Sequence, residues 1–504
     1  MEIELKLRLP SSALNALLAD PLLAKSRKTR KKLVNTYFDT PAQTLALAGI
    51  SLRLRSDGKQ WLQTVKSGGK SQAGLHQREE IEFPVAGPTL EWSALAATPF
   101  ASVFEPIKDQ LVPQFSTHFQ RDIRRLRGAT GAEIELAMDH GKIIAGDRHE
   151  SLCELELELV SGPVDDLFSL ALLLVERHPL VADSRTKAER GSRLAQGTAP
   201  APPLKADGAA LPSGAEARTV ARLAIEQALA HWQNNAPGFM SQLDPELYDS
   251  EYLHQVRVAV RRLRVACGPL AQAVNWQNAE LQPIRVSLRK LGQQLGEARD
   301  WDVFIEETWP LLARHLPDAA HRQILNEQAE LLRRTAGLQA QVALNGREGQ
   351  RLLLQLGRSL MQPEAAVEPY PFPVSTTSPS FEGLKTELDQ LDQKLRKALP
   401  KLSSLDATRL HQLRITAKKL RYITEFIASR YPAQAIDDWL EWLKKAQTIF
   451  GGRNDRTTAK VKIETLCATA GSQPDKIRRT LRAVLRRQAL PKLALAPLPD
   501  PYWH

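Results

Sequence analysis

Four charged residues open the chain at a spacing of two: Glu2, Glu4, Lys6 and Arg8, interleaved with Ile3, Leu5, Leu7 and Leu9. A β-strand repeats its side-chain direction every second residue, so this alternation predicts one ionic and one apolar face. Two carboxylates one repeat apart lie roughly 7 Å apart, at about 3.3 Å of rise per residue. Both can reach one hydrated divalent cation, and the lysine and arginine beyond can hold an anion. Taken alone, the stretch reads more simply as a half-exposed antiparallel strand with a wet face.

The pattern recurs. Arg53 and Arg55 alternate with Leu52 and Leu54; Arg78, Glu80 and Glu82 with Ile81 and Phe83. Glu133, Glu135 and Asp139 alternate with Ile134, Leu136 and Met138, and Glu154, Glu156 and Glu158 with Leu155, Leu157 and Leu159. Successive glutamates on one face repel unless cations stand among them. A closed antiparallel barrel satisfies this, with ionic faces lining a tunnel and helices covering the apolar faces. A flat sheet with one wet face is the competing arrangement.

Strands are expected over 33–38, 50–55, 60–66, 76–85, 115–127, 132–139, 143–147 and 152–160. Asp57-Gly58 marks a hairpin turn and His140-Gly141-Lys142 a second one. Helices are expected near 11–20, 90–110 and 164–178. With 504 residues the chain exceeds one ordinary core. No apolar run approaches the ~20 residues of a membrane span, and the charged opening predicts no secretory signal. Cys153, Cys267 and Cys467 form neither a metal spacing nor a disulfide framework, which points to a reducing cytoplasm.

Residues 197–214 are Pro-rich and read as a linker. Beyond them the apolar period becomes helical, broken by the five prolines of 363–380. The expected organisation is α+β: a barrel domain at 1–196, a linker, and an all-α bundle at 215–490 in halves of about 215–361 and 381–490. Residues 1–196 hold 26 Lys+Arg and 25 Asp+Glu of the chain's 68 and 57, so nearly all of the +11 charge lies in the helical part. That excess predicts a polyanionic partner.

The halves look duplicated. Leu-His254-Gln-Val-Arg257 through Arg261, Arg262 and Arg264 matches Leu-His411-Gln-Leu-Arg414 through Lys418, Lys419 and Arg421. Leu295-Gly296 with Asp300 likewise matches Phe450-Gly451 with Asp455. At 100° per residue, His254, Arg257, Arg261 and Arg264 share a sector of roughly 80°, as do His411, Arg414, Lys418 and Arg421. Stacked cations destabilise a lone helix, and a phosphate-rich ligand relieves them. A solvated basic face is the alternative. The lack of interleaved aromatics argues against nucleic acid.

Residues 1–196 resemble the CYTH superfamily, the triphosphate tunnel metalloenzymes. The resemblance rests on Glu2-x-Glu4-x-Lys6, Tyr37-Phe-Asp39-Thr-Pro, Leu52-Arg53-Leu-Arg55, Thr64-Val-Lys66, Arg78-Glu-Glu80, Phe119-Gln-Arg121, Glu154-x-Glu156-x-Glu158 and Lys187-Ala-Glu-Arg190-Gly. Residues 215–490 resemble the CHAD domain through the two histidine-basic helices. The pairing is similar to bacterial inorganic triphosphatases. It implies metal-dependent hydrolysis of tripolyphosphate to diphosphate and phosphate, with Glu2, Glu4 and Lys6 as the catalytic core. It implies Mg²⁺ or Mn²⁺ on Glu2 and Glu4, helped by Glu80, Glu154, Glu156 or Glu158. Phosphate oxygens would meet Lys6, Arg8, Arg53, Arg55, Lys66, Arg78, Arg121 and Lys187. The helical domain would bind polyphosphate. Organic triphosphate chemistry (adenylate cyclase or thiamine triphosphatase) and a non-enzymatic polyphosphate-binding role are the alternatives.

Overall fold

The computed structural model describes residues 1–24, 26–197, 201–206, 211, 216–241, 248–276, 281–316, 318–361, 381–469, 474–488 and 492–504. The Pro-rich stretch 363–380 and much of the 197–214 linker lie outside the described residues. The chain folds as two compact units, Met1–Ala201 with Asn345–Ala365, and Pro202–Leu344 with Ala366–His504.

The first unit is one antiparallel sheet. Its strands are β1 (Glu2–Arg8), β2 (Thr29–Asp39), β3 (Ser51–Ser56), β4 (Trp61–Lys66), β5 (Lys70–Gln72), β6 (Leu75–Arg78), β7 (Glu80–Val85), β8 (Val112–Arg127), β9 (Glu133–Ala145), β10 (Arg148–Ser161) and β11 (Val181–Ala182). The order is β5-β6-β1-β10-β9-β8-β2-β3-β4-β7, with β11 on β1. The two ends of this order are joined by the chain itself. β6 pairs with β1, and β7, one residue further on, pairs with β4. The sheet therefore curls until its edges meet on a single stretch, 75–85. The alternation in the sequence sets its two faces: Leu5, Leu7, Leu52, Leu54, Leu155 and Leu157 are buried on the apolar side. A helix, α1 (Asp165–Arg177), buries Leu167, Phe168, Ala171 and Leu174.

Of the two expected hairpin turns, one is present and one is not. Gly58, at φ +86°, turns β3 into β4 beside Asp57. His140-Gly141-Lys142 is no turn: β9 runs straight through it, and the reversal comes at Gly146, φ +57°. Gly141 is there for space. A Cβ on it would lie 2.1 Å from the His118 carbonyl oxygen and 2.5 Å from Phe119 Cα.

In the second unit the main helices are α3 (Ala217–Met240), α4 (Ser250–Val265), α5 (Leu281–Val303), α6 (Ala319–Asn345), α8 (Glu382–Ala398), α9 (Ala407–Ile427), α10 (Ala433–Thr469) and α11 (Pro474–Arg487). The numbers α2 and α7 are kept for Lys187–Gln196 and Arg347–Met361, both in the first unit. Helix α7, read from the sequence as part of the helical half, packs on α1: Arg358 grips Asp165 with two bonds of 2.7 Å. Helix α10 runs unbroken through Gly451 and Gly452. Residues 492–504 also belong to this core: Trp503 is buried and its Nε1 donates to Asp389 at 2.8 Å. The α+β architecture, a curled antiparallel sheet with helices followed by a helical region, is borne out.

Candidate functional site

The ionic faces of the strands enclose a cavity of about 530 Å³. Eight carboxylates line it: Glu2, Glu4, Asp57, Glu80, Glu82, Glu135, Glu156 and Glu158. Eight cations balance them: Lys6, Lys31, Arg53, Arg55, Lys66, Arg78, Arg121 and Lys187. Register decides who meets whom. Opposite β1, β10 places Glu158 against Glu4 and Glu156 against Lys6. On the far side of β10, Glu158 faces Glu135.

Most of these charges pair. Lys66 Nζ donates to Glu2 at 2.8 Å and sits 3.0 Å from Glu80. Arg78 binds Glu2 at 3.2 Å and also Glu4. Lys6 Nζ lies 3.1 Å from Glu4 and 3.4 Å from Glu156. Arg53 meets Glu80 at 3.3 Å, and Arg121 makes two bonds of 2.7 Å to Asp139. Burial, with Arg53 and Arg121 nearby, lowers the Arg55 guanidinium to about 10.

Helix α2 closes one side of the site. Its Thr186–Glu189 capping box fixes the first turn. Lys187, the first residue of that turn, enters a carboxylate cluster of Asp139, Glu154 and Glu156. Its Nζ lies 2.7 Å from Asp139, 2.8 Å from Glu156, and against Glu154. Burial opposes its charge, yet the three carboxylates raise its pKa. This cluster has the spacing of a metal site, but Lys187, Arg121 and Arg190 already pair with its three carboxylates.

Glu158 is different. Among the described residues no cation pairs with it. Burial, then Glu2, Glu135, Glu4 and Glu80, push its carboxyl up to about 7. In the row Glu4–Glu158–Glu135, with Glu2 nearby, hard oxygen donors thus surround one carboxyl that no cation pairs with, Glu4 being held by Lys6 and Arg78 and Glu135 by Arg125. The row fits a divalent cation, which takes oxygen ligands and relieves the crowding.

Two expected residues lie elsewhere. Arg8 does not line the cavity and pairs with Asp183 at 2.5 Å. Glu154 is buried behind Lys187 and Arg190, with Arg190 Nη1 at 2.8 Å, away from Glu2. Glu135, Asp139 and Glu82 were not among the expected site residues, although all three share the parity of an ionic strand face.

In the second unit the matched helices α4 and α9 touch. A cavity of about 510 Å³ beside them is lined by Arg261, Arg264, Arg285, Arg289, Lys418, Lys419 and His411, with no carboxylate in its lining. Burial, then Arg261, Arg414, Arg257 and Arg421, pull the Lys418 ammonium down to about 6. The other expected cations do not line this cavity. Arg257 lies 3.7 Å from Asp300 and Arg414 3.1 Å from Asp455, repeating one pairing in both halves. Each arginine passes over a glycine: a Cβ on Gly296 or Gly451 would come within 3.0 Å of it. Arg421 pairs with Glu425, and His254 stands near Arg299, which with burial lowers it to about 4. Arg285 and Arg289, four apart on α5, complete the basic wall and escaped the sequence reading because they lie outside the repeated motif.

The family comparisons agree with this division. The CYTH domain model matches residues 1–192 and the CHAD domain model residues 223–464. The chain joins a CYTH domain to a CHAD domain. An inorganic triphosphatase of Haemophilus influenzae is 36% identical over 163 residues, 32% of this chain and 46% of that protein. The chain therefore matches less than half the length of that relative. An uncharacterized protein of Mycobacterium tuberculosis is 26% identical over 463 residues, 85% of this chain and 81% of its own length. The crystal structure of the CHAD domain from the plant Ricinus communis is 26% identical, covers 56% of this chain and 90% of that one, and superposes with a TM-score of 0.47. No helix among the described residues is long and apolar enough to cross a membrane.

Proposed function

We propose that the CYTH tunnel hydrolyses inorganic triphosphate to diphosphate and phosphate with a divalent cation, Mg²⁺ or Mn²⁺. The observation that carries this reading is a carboxylate row, Glu4–Glu158–Glu135 with Glu2, centred on Glu158, which pairs with no cation among the described residues, and facing Arg53, Arg55, Lys66, Arg78 and Arg121 in one cavity. Phosphoryl transfer asks for positioning and charge neutralisation more than covalent chemistry. A bound divalent cation would supply charge neutralisation and lower the pKa of a coordinated water. The arginines and Lys66 orient the phosphates, exchanging their carboxylate partners for phosphate oxygens. Lys187 holds Glu156 and Asp139 in place from the closed side.

A cavity of about 360 Å³ shares Tyr37, Ser51, Lys66 and Arg78 with the tunnel and is walled by Phe38, Ile50, Leu52 and Phe115. It favours a second reading, in which an organic triphosphate places its apolar part there. A substrate panel separates the two. Tripolyphosphate turned over far faster than ATP or thiamine triphosphate supports the first reading; cyclic AMP from ATP, or faster thiamine triphosphate hydrolysis, overturns it. Glu4→Gln is expected to reduce turnover by at least about a hundredfold with an unchanged circular dichroism spectrum. In the CHAD domain the carboxylate-free cavity supports binding of long-chain polyphosphate. The sites proposed for it are Arg261, Arg264, His411 and Lys418, extended by Arg285 and Arg289. The reaction is taken to occur in the cytoplasm, in keeping with three buried free cysteines.

A further inference from the structure

Helix α6 carries two different faces. Its inner face is small and buried: Leu325, Ala329, Ala336, Gly337, Ala340 and Leu344 pack into the second unit. Its outer face holds Ile324, Leu331, Leu338 and Val342, exposed by 48, 56, 56 and 70%. Single exposed apolar residues are ordinary on a surface, but a contiguous strip is not. Among the described residues four of the fifteen large exposed apolar side chains fall on these 27 residues. At 100° per residue the four lie within a sector of about 40°, and Ile324, Leu331 and Leu338 repeat at the heptad spacing of a helix-to-helix seam.

The charges beside them select the occupant. Glu327 and Arg334, both exposed, flank this strip along one edge, on either side of Leu331. Two antiparallel copies related by a twofold axis at Leu331 would place Leu331 on Leu331 and Ile324 on Leu338. Glu327 then falls within one residue of Arg334 of the second copy, and the pair forms twice. A parallel pairing would instead set glutamate on glutamate and arginine on arginine. Self-complementarity of this kind is the signature of an isologous twofold interface. We propose that the protein self-associates through α6, as an antiparallel helix pair centred on Leu331.

The test uses the full chain in sedimentation velocity across a range of concentrations. A dimer is expected, and Leu331→Glu should convert it to a monomer. Glu327→Arg alone should weaken association by at least about tenfold, and E327R/R334E should recover it, since reversing both charges restores the pairing. Mild oxidation gives the geometry: Leu331→Cys should cross-link to itself, and Ile324→Cys only to Leu338→Cys. The native cysteines are buried and stay silent. A monomer at every concentration, a dimer indifferent to Leu331→Glu, or self-cross-linking at position 324 would overturn the proposal.

Discussion

Burial, and then the carboxylates around it, push the Glu158 carboxyl up to about 7, and that has a direction in pH. Between about 4.5 and 7 the folded chain keeps a proton that the unfolded chain has lost. The contribution of this group to stability is therefore present at low pH and is lost as pH rises through 7. A divalent cation competes with the same proton, so its affinity should climb up to about tenfold per pH unit below 7 and level off above. Melting midpoints with and without Mg²⁺ at pH 5.5 and 8 measure both effects, and Glu158→Gln should flatten the pH dependence while weakening the metal effect. Lys418 runs the opposite way. Its folded pKa, about 6 against 10.5 ordinarily, means that its contribution grows as pH rises from 6 towards 10.5. A polyphosphate bound there favours the charged ammonium. Binding at pH 7.5 should take up a proton, visible as a buffer-dependent heat in titration calorimetry and reduced in Lys418→Met.

Helix α2 works because it lies very close to β8. A Cβ on Gly191 would stand 2.0 Å from the Phe115 ring, a ring itself stacked on Tyr37 at 4.6 Å. Gly191→Ala must push the helix outward or displace that stack. It should cost about 1–3 kcal/mol of stability by overpacking and draw Lys187 away from Asp139 and Glu156. Turnover is expected to fall with the melting temperature. The strands were legible where their alternation is strict, over 2–9, 52–55, 133–136 and 154–159. What alternation cannot encode is lateral register. Glu158 meets both Glu4 and Glu135 only because β10 lies between β1 and β9, and Glu154 lies behind Lys187 rather than beside Glu2 for the same reason. Gly141 misled because glycine marks a turn and a close backbone approach equally well.

At the scale of the molecule, the tunnel unit is built from two stretches of chain. Helix α7 brings Gln350 Oε1 to the Ala182 backbone N–H at 2.9 Å, and Ala182 pairs with Leu7 on β1. Gly357 lets α7 close on Ala73 and Phe168, where a Cβ would lie 2.4 Å from the Ala73 methyl carbon. A truncation at residue 201 removes this helix together with the CHAD domain. Such a fragment should melt below the tunnel unit of the full chain, and it should expose its α1 face to a hydrophobic dye. Asp165→Ala in the full chain, losing both bonds from Arg358, should reproduce part of that loss, about 1 kcal/mol or somewhat more for a half-exposed bidentate pair. Nothing in the sequence marked α7 as separate, since its apolar period continues that of its neighbours and only three-dimensional packing assigns it.

The position of β1 in the middle of the sheet has a consequence for synthesis. Its partners on one side are residues 154–158, and on the other residues 75–78. At about 5–20 residues per second, the ribosome delivers the second partner seconds after the first strand has emerged. Glu4 meets Glu158 only then, and α7 follows nearly two hundred residues later. Until that time Ile3, Leu5 and Leu7 have no finished sheet to cover them, and a nascent-chain chaperone is most needed over this interval.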